Sequence, residues 1–252
     1  MILGPYELGP APKVGLRLMF RGDSGYVQVL REAFPSPTRW YGPYEAYEAR
    51  YDWVLYAHDV DERSLCSFLD FTSAAPLIPT TLDECWVLSM HMGEGGRTPV
   101  GELVYRAKSY GEKPGDPKAA EELCELFVEQ IRRHPTIQRA DGILGVPANP
   151  PKSPHNLPEL MAERASSVLG VPLETRLLEK LKPTDIKNLP NEEKLATLKG
   201  AYRVTGQVAE KTIVLVDDLI RSGSTLGYIS DLLRERGAKR VLGLAATKTL
   251  RD

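Results

Sequence analysis

From residue 86 onward the apolar and polar positions follow two alternating patterns. The runs "CWVLSMHM", "DGILGVPA", "KTIVLVDD" and "RVLGLAAT" are almost wholly apolar, which predicts strands buried on both faces. Between them lie segments with apolar residues at helical spacing. "PVGELVYRAKSY" carries Val100, Leu103, Val104 and Ala107 on one face, and "STLGYISDLLRERG" turns Leu226, Ile229, Leu232 and Leu233 inward. "DPKAAEELCELFVEQIRRHP" opens with Asp116 as a cap and Pro117 at the first helical position, carries Ala120, Leu123, Phe127 and Ile131, and stops at Pro135. "HNLPELMAERASSVLG" reads as a capped helix from Asn156 to Gly170, and "PLETRLLEKL" as a further strand. Apolar strands separated by amphipathic helices predict an α/β fold with a parallel sheet covered on both sides. Ligands of such sheets sit beyond the carboxyl ends of the strands.

The first 85 residues are patterned differently. "GPYELGPAPK", "FPSPTRWYGPYEAYEARYDW" and "SAAPLIPTT" are rich in Pro, Gly and Tyr, with short strand-like runs such as "VGLRLMF" and "YDWVLYA" between them. The expected organisation is an irregular amino-terminal extension over 1–85 and a parallel-sheet domain over 86–252. Trp40, Tyr41, Tyr44, Tyr47, Tyr51 and Trp53 read as packing for that extension in preference to a base-stacking surface.

Composition narrows the function classes. With 42% hydrophobic and 26% charged residues, a chain of 252 can bury a core. No stretch approaches the roughly 18 apolar residues of a membrane span, and "MILGPYELGPAPK" lacks the features of a secretory signal, so the expected location is cytoplasmic, away from membranes. Cys66, Cys85 and Cys124 form no C-x-x-C pair and are expected to be reduced and structural. Residues 1–85 hold 7 Lys+Arg against 12 Asp+Glu, and the remainder 25 against 22. The second part is the better host for an anion, yet its surplus is too small to argue binding of a nucleic-acid polyanion.

The chemistry concentrates in "VLVDDLIRSGSTL", residues 214–226. Ile213 to Val216 fill a buried strand, so Asp217 and Asp218 are expected side by side where the chain leaves the sheet. The turn Arg221-Ser222-Gly223-Ser224-Thr225 is small, and its backbone N–H groups can converge on one anion at a helix start. Two acids beside a phosphate cradle make sense when they serve hydroxyl groups or a divalent cation, which points to a phosphorylated sugar with Mg²⁺. A P-loop is excluded, because no Gly-Lys-Ser or Gly-Lys-Thr occurs. A purely structural role, with Asp217 capping the turn and Ser224 the helix, leaves two consecutive acids unexplained.

This segment resembles the 5-phosphoribosyl-1-pyrophosphate (PRPP) signature of type I phosphoribosyltransferases. The resemblance implies that Asp217 and Asp218 contact the ribose hydroxyls, partly through Mg²⁺ and its waters, while Ser222, Gly223, Ser224 and Thr225 cradle the 5′-phosphate. "PVGELVYRAKSYGE", with Lys108 and Tyr110, "GVPANPPKSPHNLPELMAE" and "KLKPTDIKNLPNEEKLATLKGAYRV" are similar, in that order, to segments of the ComF-like branch, related to the amidophosphoribosyltransferases. The branch's amino-terminal zinc ribbon has no counterpart among these cysteines. Only Asn156 of Ser153-Pro154-His155-Asn156-Leu157 matches the branch pattern. Position 221 is Arg where 6-oxopurine transferases place an acidic base, which argues against direct hypoxanthine or guanine salvage.

The implied function is Mg²⁺-dependent transfer of phosphoribosyl from PRPP to a small-molecule acceptor with release of pyrophosphate. Arg221 either grips a phosphate or points to solvent. Lys152 and Lys187 are the candidates for meeting the leaving pyrophosphate, and residues 181–199, with Lys180, Lys182, Lys194 and Lys199, for a lid. His155 reads as a loop residue. The alternative is a PRPP-binding sensor or assembly module linked to DNA uptake or processing. Assembly into a homo-oligomer is compatible with either, and the acceptor is not legible in the sequence.

Overall fold

The computed structural model describes residues 3–13, 15–35, 39–48, 51–108, 114–148, 156–184, 186 and 189–250, with 39–48 and 191 described in the backbone alone. The chain divides into two compact units: Met1–Leu77 with Gln130–Thr136, and Ile78–Glu129 with Ile137–Asp252.

The first unit is more regular than its Pro- and Gly-rich composition suggests. Strands β1 (Tyr6–Ala11), β2 (Gly15–Phe20), β3 (Arg39–Glu48) and β4 (Tyr51–His58) form an antiparallel sheet in the order β1-β2-β4-β3. Helices α1 (Gly25–Ala33) and α2 (Glu62–Ala74) accompany it. Asp61 starts α2 by accepting a hydrogen bond from the Ser64 N–H at 2.8 Å, and Leu65, Phe68, Leu69 and Phe71 form its buried face. His134 packs edge-on against Phe68 and Phe71, which ties the 130–136 segment into this unit. The proline-rich stretches still yield strands, because Pro and Gly are tolerated at sheet edges and bulges, and β3 carries register shifts of that kind.

The second unit begins with β5 (Glu84–Met90), a small hairpin of β6 (Met92–Gly93) and β7 (Gly96–Arg97), and α3 (Pro99–Ala107). There follow α4 (Pro117–Ile131), α5 (Pro135–Gln138), β8 (Gly142–Gly145), α6 (Leu157–Leu169), β9 (Leu178–Lys180), α7 (Asn191–Leu198), β10 (Tyr202–Val204), β11 (Thr212–Ile220), α8 (Ser224–Glu235) and β12 (Arg240–Lys248). The main sheet has the order β5-β12-β11-β8, every pair parallel. Helices α3 and α6 pack on strands β5 and β12, and β8 and β11, respectively; α8 packs on β12. Val214, Leu215, Val216, Val241 and Leu242 are almost fully buried, which is why these strands read as continuous apolar runs. This is the expected parallel α/β architecture.

Three local expectations change. The 172–181 stretch is not one strand: Leu173 makes a single parallel bridge to Ile143, a turn follows, and only Leu178–Lys180 pairs, antiparallel to β10. Asn156 precedes α6 without a side-chain capping bond; its amide donates to the Val146 carbonyl at 3.3 Å, fixing the helix start to the end of β8. Strand β11 runs past the two acids to Ile220, because Leu219 and Ile220 still pair with Thr247 and Lys248 of β12.

Candidate functional site

Because β11 continues through the acid doublet, Asp217 and Asp218 obey strand alternation and point to opposite faces of the sheet. They are neighbours in sequence but not in environment. Asp218 is 8% exposed and forms an ion pair with Lys108, the residue that ends α3, at 2.7 Å. Asp217 lies on the face shared with the paired strands β9 and β10, where its charge bears on Lys180 and Tyr202. Burial pushes the Asp217 carboxyl up to about 7, the Asp218 charge adds to the rise, and Lys108 opposes it. Its Oδ1 also accepts the Asp218 N–H at 2.8 Å.

The Lys180 ammonium donates to the Tyr202 hydroxyl at 3.1 Å and lies 5.0 Å from that ring's centroid. Burial lowers the Lys180 pKa, with Asp217 pulling the other way. Burial raises Tyr202 to about 12, helped by Asp217 and opposed by a hydrogen bond with Thr184.

Beyond Ile220 the chain turns through exposed Arg221 into Ser222 and Gly223, and α8 begins at Ser224. Gly223 has φ +78°, a left-handed conformation that disfavours any residue with a Cβ. It lets the turn close tightly, and the Ser222 and Ser224 hydroxyls meet at 2.7 Å. The first amides of α8 and the hydroxyls of Ser222, Ser224 and Thr225 therefore gather at one helix start, a geometry suited to a phosphate.

On the other side of β11, the ends of β12 and β5 contribute Thr247 and His91. The His91 Nδ1 lies 3.2 Å from the Thr247 Oγ1. Burial lowers the His91 pKa, Arg97, Lys108 and Arg221 lower it further, and Asp218 opposes them. Helix α3 approaches this strand end closely: a Cβ on Gly101 would stand 2.1 Å from the His91 carbonyl oxygen.

Among the described residues no group of three or more His, Cys, Asp or Glu is arranged to hold a metal by itself. The doublet offers two carboxylates, of which Asp218 pairs with Lys108 and Asp217 is raised by burial and by the Asp218 charge. On opposite faces of the strand the two carboxylates do not form a joint donor set, but either one alone is compatible with Mg²⁺, which can take a single carboxylate and complete its shell with ligand oxygens and water.

Of the residues singled out in the sequence, Asp217, Asp218, Ser222, Gly223, Ser224 and Thr225 come together at the end of one strand and the start of one helix. Lys152, Lys187, Tyr110 and His155 lie outside the described residues. The second half of the 181–199 segment is anchored: Leu198 of α7 is fully buried in the core, and Lys194 is 5% exposed. His91, and the contacts made by Lys108 and Lys180, were not read from sequence. His91 had one available signal, since it lies at the carboxyl end of the predicted strand "CWVLSMHM".

Residues 159–247, from α6 through β12, match the family described as the phosphoribosyl transferase domain, which supports a phosphoribosyltransferase type for this part of the chain. The ribose-phosphate pyrophosphokinase of Haemophilus influenzae is 29% identical over 126 residues, 48% of this chain and 39% of that protein. That of Pasteurella multocida is 29% identical over 123 residues, again 48% and 39%. The chain thus spans about two fifths of the length of these curated relatives. Among solved structures, the phosphoribosylpyrophosphate synthetase of Mycobacterium smegmatis aligns with 28% identity and a TM-score of 0.28, covering 52% of this chain and 33% of that one. The purine phosphoribosyltransferase of Pyrococcus horikoshii aligns with 21% identity and a TM-score of 0.31, covering 49% and 69%. None of these singles out the ComF-like branch.

Proposed function

We propose that this protein binds PRPP with Mg²⁺ and transfers its phosphoribosyl group to a small-molecule acceptor. One observation carries the reading: an acid doublet near the carboxyl end of a buried parallel strand leads through a left-handed glycine into a hydroxyl-lined helix start. The family match includes this whole segment, and the names of the relatives share a phosphorylated ribose as the reacting group.

In this reading Ser222, Ser224, Thr225 and the first amides of α8 hold the 5′-phosphate, and Arg221 can add a charge-assisted bond. Asp217 and Asp218, reaching the strand end from its two faces, would accept from the ribose 2′ and 3′ hydroxyls, and either carboxylate would hold Mg²⁺ directly or through water. Mg²⁺, when bound, neutralises part of the pyrophosphate charge. The acceptor's lone pair forms a bond to C1 as the bond from C1 to pyrophosphate oxygen breaks, its electron pair departing with pyrophosphate; a proton on the attacking atom is lost to solvent. Lys152 and Lys187 are assigned to the departing anion. Lys108 neutralises Asp218 before the sugar arrives, and fixed charge of this kind lowers the barrier without reorganisation.

PRPP with Mg²⁺ is expected to raise the melting temperature by an amount that grows with ligand concentration. Asp217→Asn combined with Asp218→Asn should abolish the rise. Identical melting curves for the wild type with and without PRPP would refute the assignment. Pyrophosphate release over a panel of amines and bases then separates a transferase from a sensor that binds without turnover.

A further inference from the structure

We propose that Lys108 excludes bare divalent cations from Asp218, so that the free protein admits metal there only as its anionic chelate with the phosphorylated ligand. The identity of that ligand rests on the phosphoribosyl-transfer reading above; the exclusion itself rests on the geometry around Lys108.

The contact is direct. The Lys108 ammonium lies 2.7 Å from Oδ1 of Asp218 and 2.7 Å from Oδ2. One ammonium therefore covers both oxygens that a metal would use. The Asp218 side chain is 12% exposed and that of Lys108 29%, which leaves little water to replace either partner if the pair opens. The backbone of Asp218 is held as well, because β11 pairs with β12 on both sides of it, Asp217 opposite Ala245 and Leu219 opposite Thr247.

A lysine is usually a mobile arm, but this one is anchored at its base. The Lys108 N–H donates to the carbonyl of Val104, a fully buried residue, at 3.2 Å. Two residues earlier, the Arg106 carbonyl accepts the Asp116 N–H at 2.8 Å, and the Arg106 guanidinium pairs with the Asp116 carboxylate. Gly115 lets the returning chain pass so near that a Cβ there would stand 2.0 Å from the Ala107 carbonyl oxygen. At the other end of α3, the Thr98 hydroxyl accepts the Gly101 N–H at 3.0 Å and donates to the Met90 carbonyl of β5 at 2.6 Å. Both ends of α3 are tied, so the fold itself delivers the ammonium to Asp218.

Charge decides what can enter. A hydrated cation arriving alone must displace the ammonium from both oxygens and then stand beside it, two cations where one carboxylate serves. Asp217 lies on the opposite face of β11 and offers that cation no second carboxylate. A metal already chelated by pyrophosphate arrives as a net anion, which the ammonium attracts.

The probe is Mn²⁺ alone, which suits the same oxygen ligands as Mg²⁺, titrated into full-length protein and followed by the electron paramagnetic resonance signal of the free ion. Lys108→Met should bind it at least about tenfold more tightly than the wild type, allowing for a pair that is partly solvated. Lys108→Arg keeps a cation and should show no gain, and Asp218→Asn should abolish the gain in the Lys108→Met background. Lys108→Gln is a second neutral variant, and melting curves in EDTA show that each protein is folded. Equal Mn²⁺ affinity in the wild type and the neutral variants, or a gain that survives Asp218→Asn, would overturn the proposal. Adding PRPP separates the two readings, since the wild type should then take up Mn²⁺. If PRPP changes nothing while the neutral variants still gain the metal, the exclusion stands and the phosphoribosyl reading falls. If PRPP brings Mn²⁺ into the wild type but no neutral variant gains it alone, the exclusion falls and that reading stands.

Discussion

At Asp217, burial and a neighbouring carboxylate both oppose ionisation. Its folded-state pKa of about 7 lies above the 3.8 of an ordinary Asp, so the folded protein holds this proton more tightly than the unfolded chain does. The contribution to stability is complete below about 3.8 and is lost as pH rises through about 7. Asp217→Asn, measured in EDTA, should therefore raise the melting temperature more at pH 8 than at pH 5. An equal change at both would show that the carboxyl ionises normally. The residue types of this site were legible from the acid doublet and the Ser/Gly/Ser/Thr turn. Their separation onto two faces was not, because it depends on β11 continuing through Asp218 to Ile220, and that continuation is supplied by pairing with β12.

Among the elements, α7 shows how tertiary contacts determine what local pattern leaves open. Eight residues form a helix too short to persist alone in water. It is held by Leu198, fully buried with Tyr202 and Leu226 in the core cluster, and by packing on α8. Leu198→Ala should cost about 2–4 kcal/mol in urea unfolding, whereas Leu195→Ala, at a position 54% exposed, should change stability by less than about 0.5 kcal/mol. Equal effects would mean that α7 is not docked. The lysines of 181–199, read as a lid, are visible in the sequence, whereas the burial of Leu198 within that segment is not. The longer helices α4, α6 and α8 were readable because each carries a whole apolar face and a start or stop signal, as Asp116 shows by accepting from the Lys118 N–H at 3.0 Å.

For the molecule as a whole, the compact units part between Leu77 and Ile78, while composition changes near residue 85. The segment between belongs physically to the parallel sheet. Ile78 bonds to Cys85, Asp83 pairs with Arg234 and accepts the Val241 N–H, and buried Glu84 pairs with Arg240. Thr80 lies against the Ser222–Thr225 turn, its methyl 3.5 Å from where a Gly223 Cβ would be. A fragment beginning at residue 78 should accordingly unfold at higher urea than one beginning at 86, and should keep more of any protection by PRPP and Mg²⁺. Equal midpoints would place the boundary where composition changes. The sequence by itself determined the parallel α/β class and the Ser222–Thr225 turn, because both follow from short-range rules: strands buried on two faces must be apolar throughout, and a tight left-handed turn needs glycine. Tertiary structure decided which charges share a site. Lys108 and Asp218 are 110 positions apart and His91 and Thr247 are 156 apart, and only the order of strands in the sheet brings such distant groups together.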